Sequence, residues 1–167
     1  MLAKDLFLIP IRYLEELREL AKPGIMGFQQ KCINIVKSHM QELNTNIIAV
    51  YIIGSFARNE GAFIYDEQRK SVRPIRDLDI LLVVNRKYSK EYLMQICDRI
   101  NTDLGFRPLS SRNYPFEEFT AWISQIKPSE LNMPLLKLYE LKLHGRLITG
   151  VDIRHLIRIR LEDLSLY

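Results

Sequence analysis

Two aspartates that are separated by one residue are the first feature of this sequence that suggests chemistry. Asp77 and Asp79 stand at the head of an apolar run, residues 80–84, that predicts a buried strand. Because side chains alternate along a strand, both carboxylates project from one face, about 6 to 7 Å apart. Two like charges at that distance favour a bound cation, and Mg²⁺ held by one or two carboxylates together with substrate phosphates fits this pair.

A glycine and a serine follow a second apolar run. Residues 47–53 are mostly β-branched and stop at Gly54, which predicts a buried strand that leads into a tight turn. Gly54 lets the backbone approach a ligand closely, and Ser55 is a favourable N-cap for a short helix. The unpaired N–H groups of such a helix would face a phosphate, so the two runs together predict a site for a phosphate group and a cation.

These residues resemble the signature of the nucleotidyltransferase superfamily, the group that includes DNA polymerase beta and the minimal nucleotidyltransferases. The signature is a hydrophobic residue, Gly and Ser, a spacer, and then Asp, a hydrophobic residue and Asp. Here it reads Ile53-Gly54-Ser55 and Asp77-Leu78-Asp79-Ile80, with 21 residues between the two parts where nine to thirteen are usual. The combination is fairly specific, whereas the two aspartates alone would be a weak signal.

The resemblance implies an α+β fold, a small mixed β-sheet packed by helices, and the transfer of a nucleoside monophosphate from an NTP to an acceptor with release of pyrophosphate. AMP from ATP is the favoured donor group. In this role Asp77 and Asp79 hold Mg²⁺, and the turn at Gly54 and Ser55 holds the triphosphate. Arg58 would add a fixed positive charge, although an arginine on a helix surface explains it equally well. The acceptor stays open, because an antibiotic, an RNA end and a protein side chain all fit.

Composition adds a broad frame. The 167 residues suffice for one domain, or for one domain with a small appendage. A net charge of +4 and 47% hydrophobic residues are typical of a soluble globular protein with a mild preference for polyanionic ligands. Cys32 and Cys97 lack metal-ligand spacing, which favours free thiols in a reducing compartment. We expect no signal peptide, no membrane segment and a cytoplasmic location.

Helices are predicted before and after the two strands, packed against one face of the sheet. Residues 4–21 and 28–43 read as two amphipathic helices separated by Lys22-Pro23-Gly24. Residues 90–104 read as a third helix, which ends at Gly105.

The chain is expected to divide into a nucleotidyltransferase-like domain, residues 1–127, and a C-terminal helical extension, residues 128–167. Apolar residues between 135 and 143 predict the first helix of the extension, and Asp152 is a plausible N-cap for the second. Small members of the superfamily often act with a helical partner chain, and an exposed apolar face on the first of these helices would suit such a partner or a homo-oligomer.

The insertion at residues 61–76 is rich in charge. A hairpin with a solvated face is the simpler interpretation. The alternative is that some of its cations reach the triphosphate or a nucleic-acid backbone. The cations are Arg69, Lys70, Arg73 and Arg76.

A third strand is predicted at residues 106–111, where Pro108 favours an edge position. In the superfamily this strand usually brings a third carboxylate to the first two, but residues 106–114 contain no acid. Glu117 and Glu118 are the nearest replacements, in a helix predicted at residues 115–127 whose first turn would suit acids in any case.

Glu60, after the phosphate turn, is a further candidate for the missing carboxylate. The missing acid also favours a rival hypothesis. In it, the chain is a catalytically weakened regulatory module of the same fold that binds a nucleotide or a partner. The intact Gly-Ser pair and the paired aspartates favour the enzyme.

Overall fold

Helices pack on both sides of a central mixed sheet. The computed structural model describes residues 11–43, 46–58, 63–66, 71–74, 77–111, 119–131 and 136–158. Short 3-10 helices cover Leu109–Ser111, Pro128–Glu130 and Arg154–Leu156. The other elements, in chain order, are α1 (Ile11–Glu42), β1 (Ile47–Ile53), α2 (Gly54–Ala57), β2 (Phe63–Asp66), β3 (Ser71–Pro74), β4 (Leu78–Val84), α3 (Lys90–Leu104), β5 (Ala121–Ile126), α4 (Leu136–His144) and β6 (Arg146–Gly150).

The sheet has the strand order β5-β4-β1-β6. Strand β1 is antiparallel to β4 and to β6, whereas β4 and β5 run parallel. The two central strands are the apolar runs that the sequence singles out, and their last five residues are all buried. The predicted α+β class, a small mixed sheet packed by helices, is therefore confirmed.

Alternation along β1 and β4 gives the sheet two buried faces. One face packs on α1 and α3 through a cluster that includes Val50, Ile52, Ile80 and Leu82. The opposite face packs on α4 through a cluster that includes Tyr51, Leu81, Val83, Leu138 and Leu141. Each fully buried side chain of this size contributes about 1.5 to 3 kcal/mol to folding. The expectation that helices cover only one face was wrong, because β4 is apolar on both of its faces.

Helix α1 continues through the break predicted at residues 22–24. Pro23 lies inside it, although a proline in a helix interior removes a backbone donor and costs about 3 kcal/mol. Buried residues on both sides of the proline offset this cost, with Ala21 before it and Cys32 after it. The earlier part of the first predicted helix, residues 4–10, lies outside the described residues.

Helix α3 was predicted correctly at both ends. The side chain of Ser89 accepts a hydrogen bond from the backbone N–H of Tyr92 and caps the first turn. Gly105 takes the left-handed conformation, with φ of 94°, and ends the helix.

The third strand lies later in the chain than predicted. Residues 109–111 form a 3-10 turn, and Ala121–Ile126 pairs with β4 instead, within the span that was predicted to be helical. Its apolar residues fit either a helix or a strand, and the free edge of β4 decides for the strand. Residues 112–118 lie outside the described part, and so do the predicted helix start and both Glu117 and Glu118.

The C-terminal segment contains the predicted helix α4 and then a strand. Strand β6 pairs with β1 and so joins the segment to the sheet. No helix begins at Asp152; instead its carboxylate accepts hydrogen bonds from Tyr51 and from the backbone N–H of Arg154. A 3-10 turn follows, and residues 159–167 lie outside the described part. The division at residue 127 stays a prediction.

The insertion contains the predicted hairpin, formed by β2 and β3. Arg73 lies in β3, whereas Glu60, Arg69, Lys70 and Arg76 lie outside the described residues. A role for these side chains at a ligand therefore stays a prediction.

Both cysteines are free, as expected, and both are buried. Burial raises the pKa of Cys32 to about 12 and that of Cys97 to about 11, so both thiols stay protonated at neutral pH. Within the described part of the chain, no helix combines the length and the apolar character that a membrane crossing requires.

Candidate active site

The end of β1 and the beginning of β4 meet at one edge of the sheet. The strands are antiparallel and Ile53 pairs with Asp79, so the turn that follows β1 lies beside the aspartates that begin β4. A cavity of about 400 Å³ opens there. All five residues predicted for the site line it: Gly54, Ser55, Arg58, Asp77 and Asp79.

Gly54 has a backbone conformation that only glycine adopts easily. Its φ is +71°, and a Cβ atom at this position would lie 2.8 Å from Oδ2 of Asp79. The one-turn helix α2 starts at Gly54, and Ile53 occupies the N-cap position without a side-chain hydrogen bond. Ser55 was expected to cap this helix and instead lies inside its first turn, because β1 continues as far as Ile53.

Asp79 is partly buried and lies close to other charged side chains. Burial is the main cause that raises the pKa of its carboxyl group, and the charge of Asp77 is the second. Glu140 raises this pKa further, whereas Lys137 lowers it. The ionised carboxylate is therefore destabilised until a positive charge comes close, which is the property expected of a cation ligand.

Asp77 is positioned by the residue that precedes β5. Its Oδ1 accepts a hydrogen bond of 3.2 Å from the backbone N–H of Thr120, and the N–H of Leu78 donates to the Thr120 carbonyl at 2.9 Å. Thr120 is fully buried. The parallel strand thus fixes the first aspartate as well as the sheet edge.

Helix α4 supplies two charged residues that were not predicted for the site from the sequence. Lys137 and Glu140 line the cavity, and Arg58 donates to Oε2 of Glu140 at 2.6 Å. The two α4 residues are three apart, so they share one face of the helix. That spacing was visible in the sequence, but nothing in it indicated that α4 would cover the face of the sheet from which Asp79 projects.

Strand β5 carries no carboxylate. Trp122 is the residue of β5 that pairs with Asp79, and the strand reads Ala-Trp-Ile-Ser-Gln-Ile. The indole of Trp122 therefore occupies the place next to Asp79.

The donor set suits Mg²⁺ when a substrate brings phosphate oxygens. Among the residues that the structure describes, no group of three or more histidine, cysteine and acidic side chains is arranged to hold a metal ion. Two carboxylates, one of them with a raised pKa, still fit a cation whose other ligands come from a nucleotide. Mg²⁺ is commonly bound in this way, through one or two carboxylates plus phosphates.

Comparisons with known proteins agree with this architecture. No protein-family model and no curated protein matches the sequence. The structure is similar to that of spectinomycin adenyltransferase AAD(9) from Enterococcus faecialis, solved with ATP and spectinomycin. The TM-score is 0.54 and the identity 17%, over 82% of this chain and 63% of that one, so the chain spans less than two thirds of the adenyltransferase.

Two toxin-antitoxin structures have lower TM-scores. One, solved with AMP-PNP, gives 0.48 with 10% identity over 81% of this chain and 86% of that one. The other, a mutant of MntA-HpeT, gives 0.44 with 10% identity over 80% and 84%.

The sheet with its Gly-Ser turn beside two aspartates and the similarity to the adenyltransferase together show that this chain has the nucleotidyltransferase fold, as its signature residues implied.

Proposed function

We propose that the protein transfers AMP from ATP to an acceptor and releases pyrophosphate. The observation that carries this proposal is the meeting of Gly54 and Ser55 with Asp77 and Asp79 in one cavity. The cavity is lined by the Gly54 turn, a pair of carboxylates and two cationic side chains. Phosphoryl transfer requires groups of these kinds, which position the phosphates and stabilise their charge. The adenyltransferase of similar fold was solved with ATP, which supports ATP as the donor.

Each residue has a distinct task in this proposal. Asp77 and Asp79 hold Mg²⁺, which when bound offsets charge on the phosphates and aligns the reacting oxygens. The Gly54 turn lets backbone N–H groups approach the triphosphate, and Ser55 adds its hydroxyl. Arg58 and Lys137 place positive charge at the cavity wall, where they stabilise negative charge on the phosphates.

A binding or regulatory module of the same fold is the second candidate. The absence of a carboxylate from β5 favours it. Leu136 and Leu143 of α4 are 55% and 50% exposed, which supports a helical partner chain or a second copy, as in the expectation drawn from the sequence. For either candidate function we propose a cytoplasmic location.

Two measurements test the proposed function. Calorimetric titration with Mg·ATP should show binding to the parent and at least tenfold weaker binding to Asp77→Asn and Asp79→Asn, a loss of about 1.4 kcal/mol. Equal affinity in all three proteins would remove the aspartates from the site. The intact mass of candidate acceptors after incubation with each NTP and Mg²⁺ then identifies the donor and the acceptor, and binding without any transfer would favour the regulatory module.

A further inference from the structure

We propose that Glu140 supplies the carboxylate that β5 lacks and accepts the proton of the acceptor hydroxyl. This inference depends on the proposed function and adds a residue from outside the signature. It also narrows the acceptor to a group that carries a transferable proton, such as an alcohol.

Glu140 lies within electrostatic reach of the metal-binding carboxylates. It lines the same cavity as Asp77 and Asp79, and its charge contributes to the raised pKa of Asp79. Helix α4, which carries it, is anchored in the core through Leu138 and Leu141, which are 2% and 0% exposed. The position of Glu140 relative to the aspartates is therefore set by packing and not by a surface loop.

Arg58 holds one oxygen of this carboxylate. The guanidinium donates to Oε2 at 2.6 Å, and both side chains are only about a quarter exposed, at 27% and 26%. Within the described part of the chain, Oε1 of Glu140 accepts no hydrogen bond. Because Arg58 directly follows α2, this ion pair ties the carboxylate of α4 to the phosphate turn.

Strand β5, where the superfamily usually carries the third carboxylate, has a tryptophan beside Asp79. Strand β5 pairs residue by residue with β4, and its position beside Asp79 is Trp122. An indole has no acceptor for a proton, since its N–H is a donor only. Among described residues, Glu140 is the one acid besides the aspartate pair that lines the cavity.

The proposed step moves the AMP group of ATP to the acceptor oxygen. The acceptor oxygen forms a bond to the α-phosphorus of ATP while its proton passes to the Glu140 carboxylate. The bond between the α-phosphorus and the bridging oxygen to the β-phosphate breaks, and pyrophosphate leaves with the electron pair. Glu140 then returns the proton to solvent.

The test separates the rate of the step from the binding of the nucleotide. Pyrophosphate release from saturating Mg·ATP is measured with water and with concentrated glycerol as hydroxyl acceptors, for the parent and Glu140→Gln. We expect the rate of Glu140→Gln to fall about 100- to 10,000-fold, the usual contribution of a general base, while the calorimetric Kd for Mg·ATP changes less than threefold. Formate should restore part of the rate of Glu140→Ala, which a merely structural role of Glu140 would not allow.

Two further variants serve as controls. Arg58→Gln should weaken Mg·ATP binding, so that its effect differs from that of Glu140→Gln. Glu42→Gln removes another ion pair, with Arg99 at 2.9 Å, near the opposite end of the sheet and should leave the rate unchanged.

An unchanged rate in Glu140→Gln would overturn Glu140 as the base and leave the proposed function intact. Binding of Mg·ATP by the parent without pyrophosphate release would also overturn it, whereas failure to bind Mg·ATP would reject the proposed function itself.

Discussion

Gly54 and Asp79 approach each other so closely that no side chain fits between them. A Cβ atom on Gly54 would lie 2.8 Å from Oδ2 of Asp79, which is closer than Cβ atoms approach other atoms in proteins, so the carboxylate or the turn would have to shift. The positive φ of Gly54 adds a second reason for glycine. The turn and the carboxylate are thus built against each other, across the antiparallel pair β1 and β4.

Gly54→Ala should therefore affect stability and nucleotide binding together. The left-handed backbone and the contact with Asp79 should destabilise the fold by about 1 to 3 kcal/mol, a drop in Tm of about 2 to 4 °C per kcal/mol. Mg·ATP binding should be lost because the methyl group displaces the Asp79 carboxylate. Thermal unfolding and calorimetric titration measure the two effects.

Gly27→Ala is the matched control for this change. Gly27 lies inside α1, and a Cβ atom there meets nothing within 4 Å. The substitution should stabilise the protein by about 0.5 to 1 kcal/mol through helix propensity, with unchanged Mg·ATP affinity. A Gly54→Ala protein that behaved like Gly27→Ala would contradict the close approach.

Ser55→Ala should separate ligand binding from helix capping. A Ser55 cap would be worth about 1 kcal/mol, but the structure shows no side-chain hydrogen bond that caps α2. We therefore expect an unchanged Tm and weaker Mg·ATP binding, measured by differential scanning calorimetry and titration calorimetry. Unchanged affinity would remove Ser55 from the nucleotide site.

Asp79→Asn should stabilise the protein without ligand, in a pH-dependent way. The folded-state pKa of Asp79 is raised, so the ionised carboxylate costs stability above that pKa, and the cost disappears as pH falls through it towards the usual value of about 4. The gain in Tm over the parent should thus be largest at neutral pH and shrink on acidification. A parent that is more stable than the variant at neutral pH would contradict this assignment.

Lys137→Met should weaken Mg·ATP binding by about tenfold, or about 1.4 kcal/mol. Lys137 is the cation whose charge lowers the pKa of Asp79, and its loss also removes a charge that faces the phosphates. Lys90→Met, at the exposed beginning of α3, is the matched control and should bind like the parent. Similar losses in both variants would show that only the overall net charge matters.

Trp122→Asp should return part of the activity that Glu140→Gln loses. The residue pairs with Asp79 in the parallel register, so the new carboxylate would stand on the same face of the sheet. Ser124→Asp, two residues further along β5, should restore less. Pyrophosphate release in the double variants measures this, and a faster Ser124→Asp protein would show that the register does not set the geometry of the reaction.

The sequence by itself determined the two central strands and the residues at their ends. Seven-residue apolar runs have few alternatives to a buried strand, and the Gly54 turn and the aspartate pair follow from residue type and local spacing alone. Helix α3 was also predictable at both ends, because Ser89 and Gly105 act within one turn of it. These features depend on neighbours in the chain.

Only the tertiary structure decided which distant residues complete the site. Residues 106–111 and 121–126 both carry apolar residues, and pairing with the open edge of β4 selected the second. Arg58 and Glu140 are 82 residues apart and meet because α4 covers the face of the sheet from which Asp79 projects. Local periodicity shows which side of an element is apolar, but not which surface it will cover, since that depends on the packing of the whole chain.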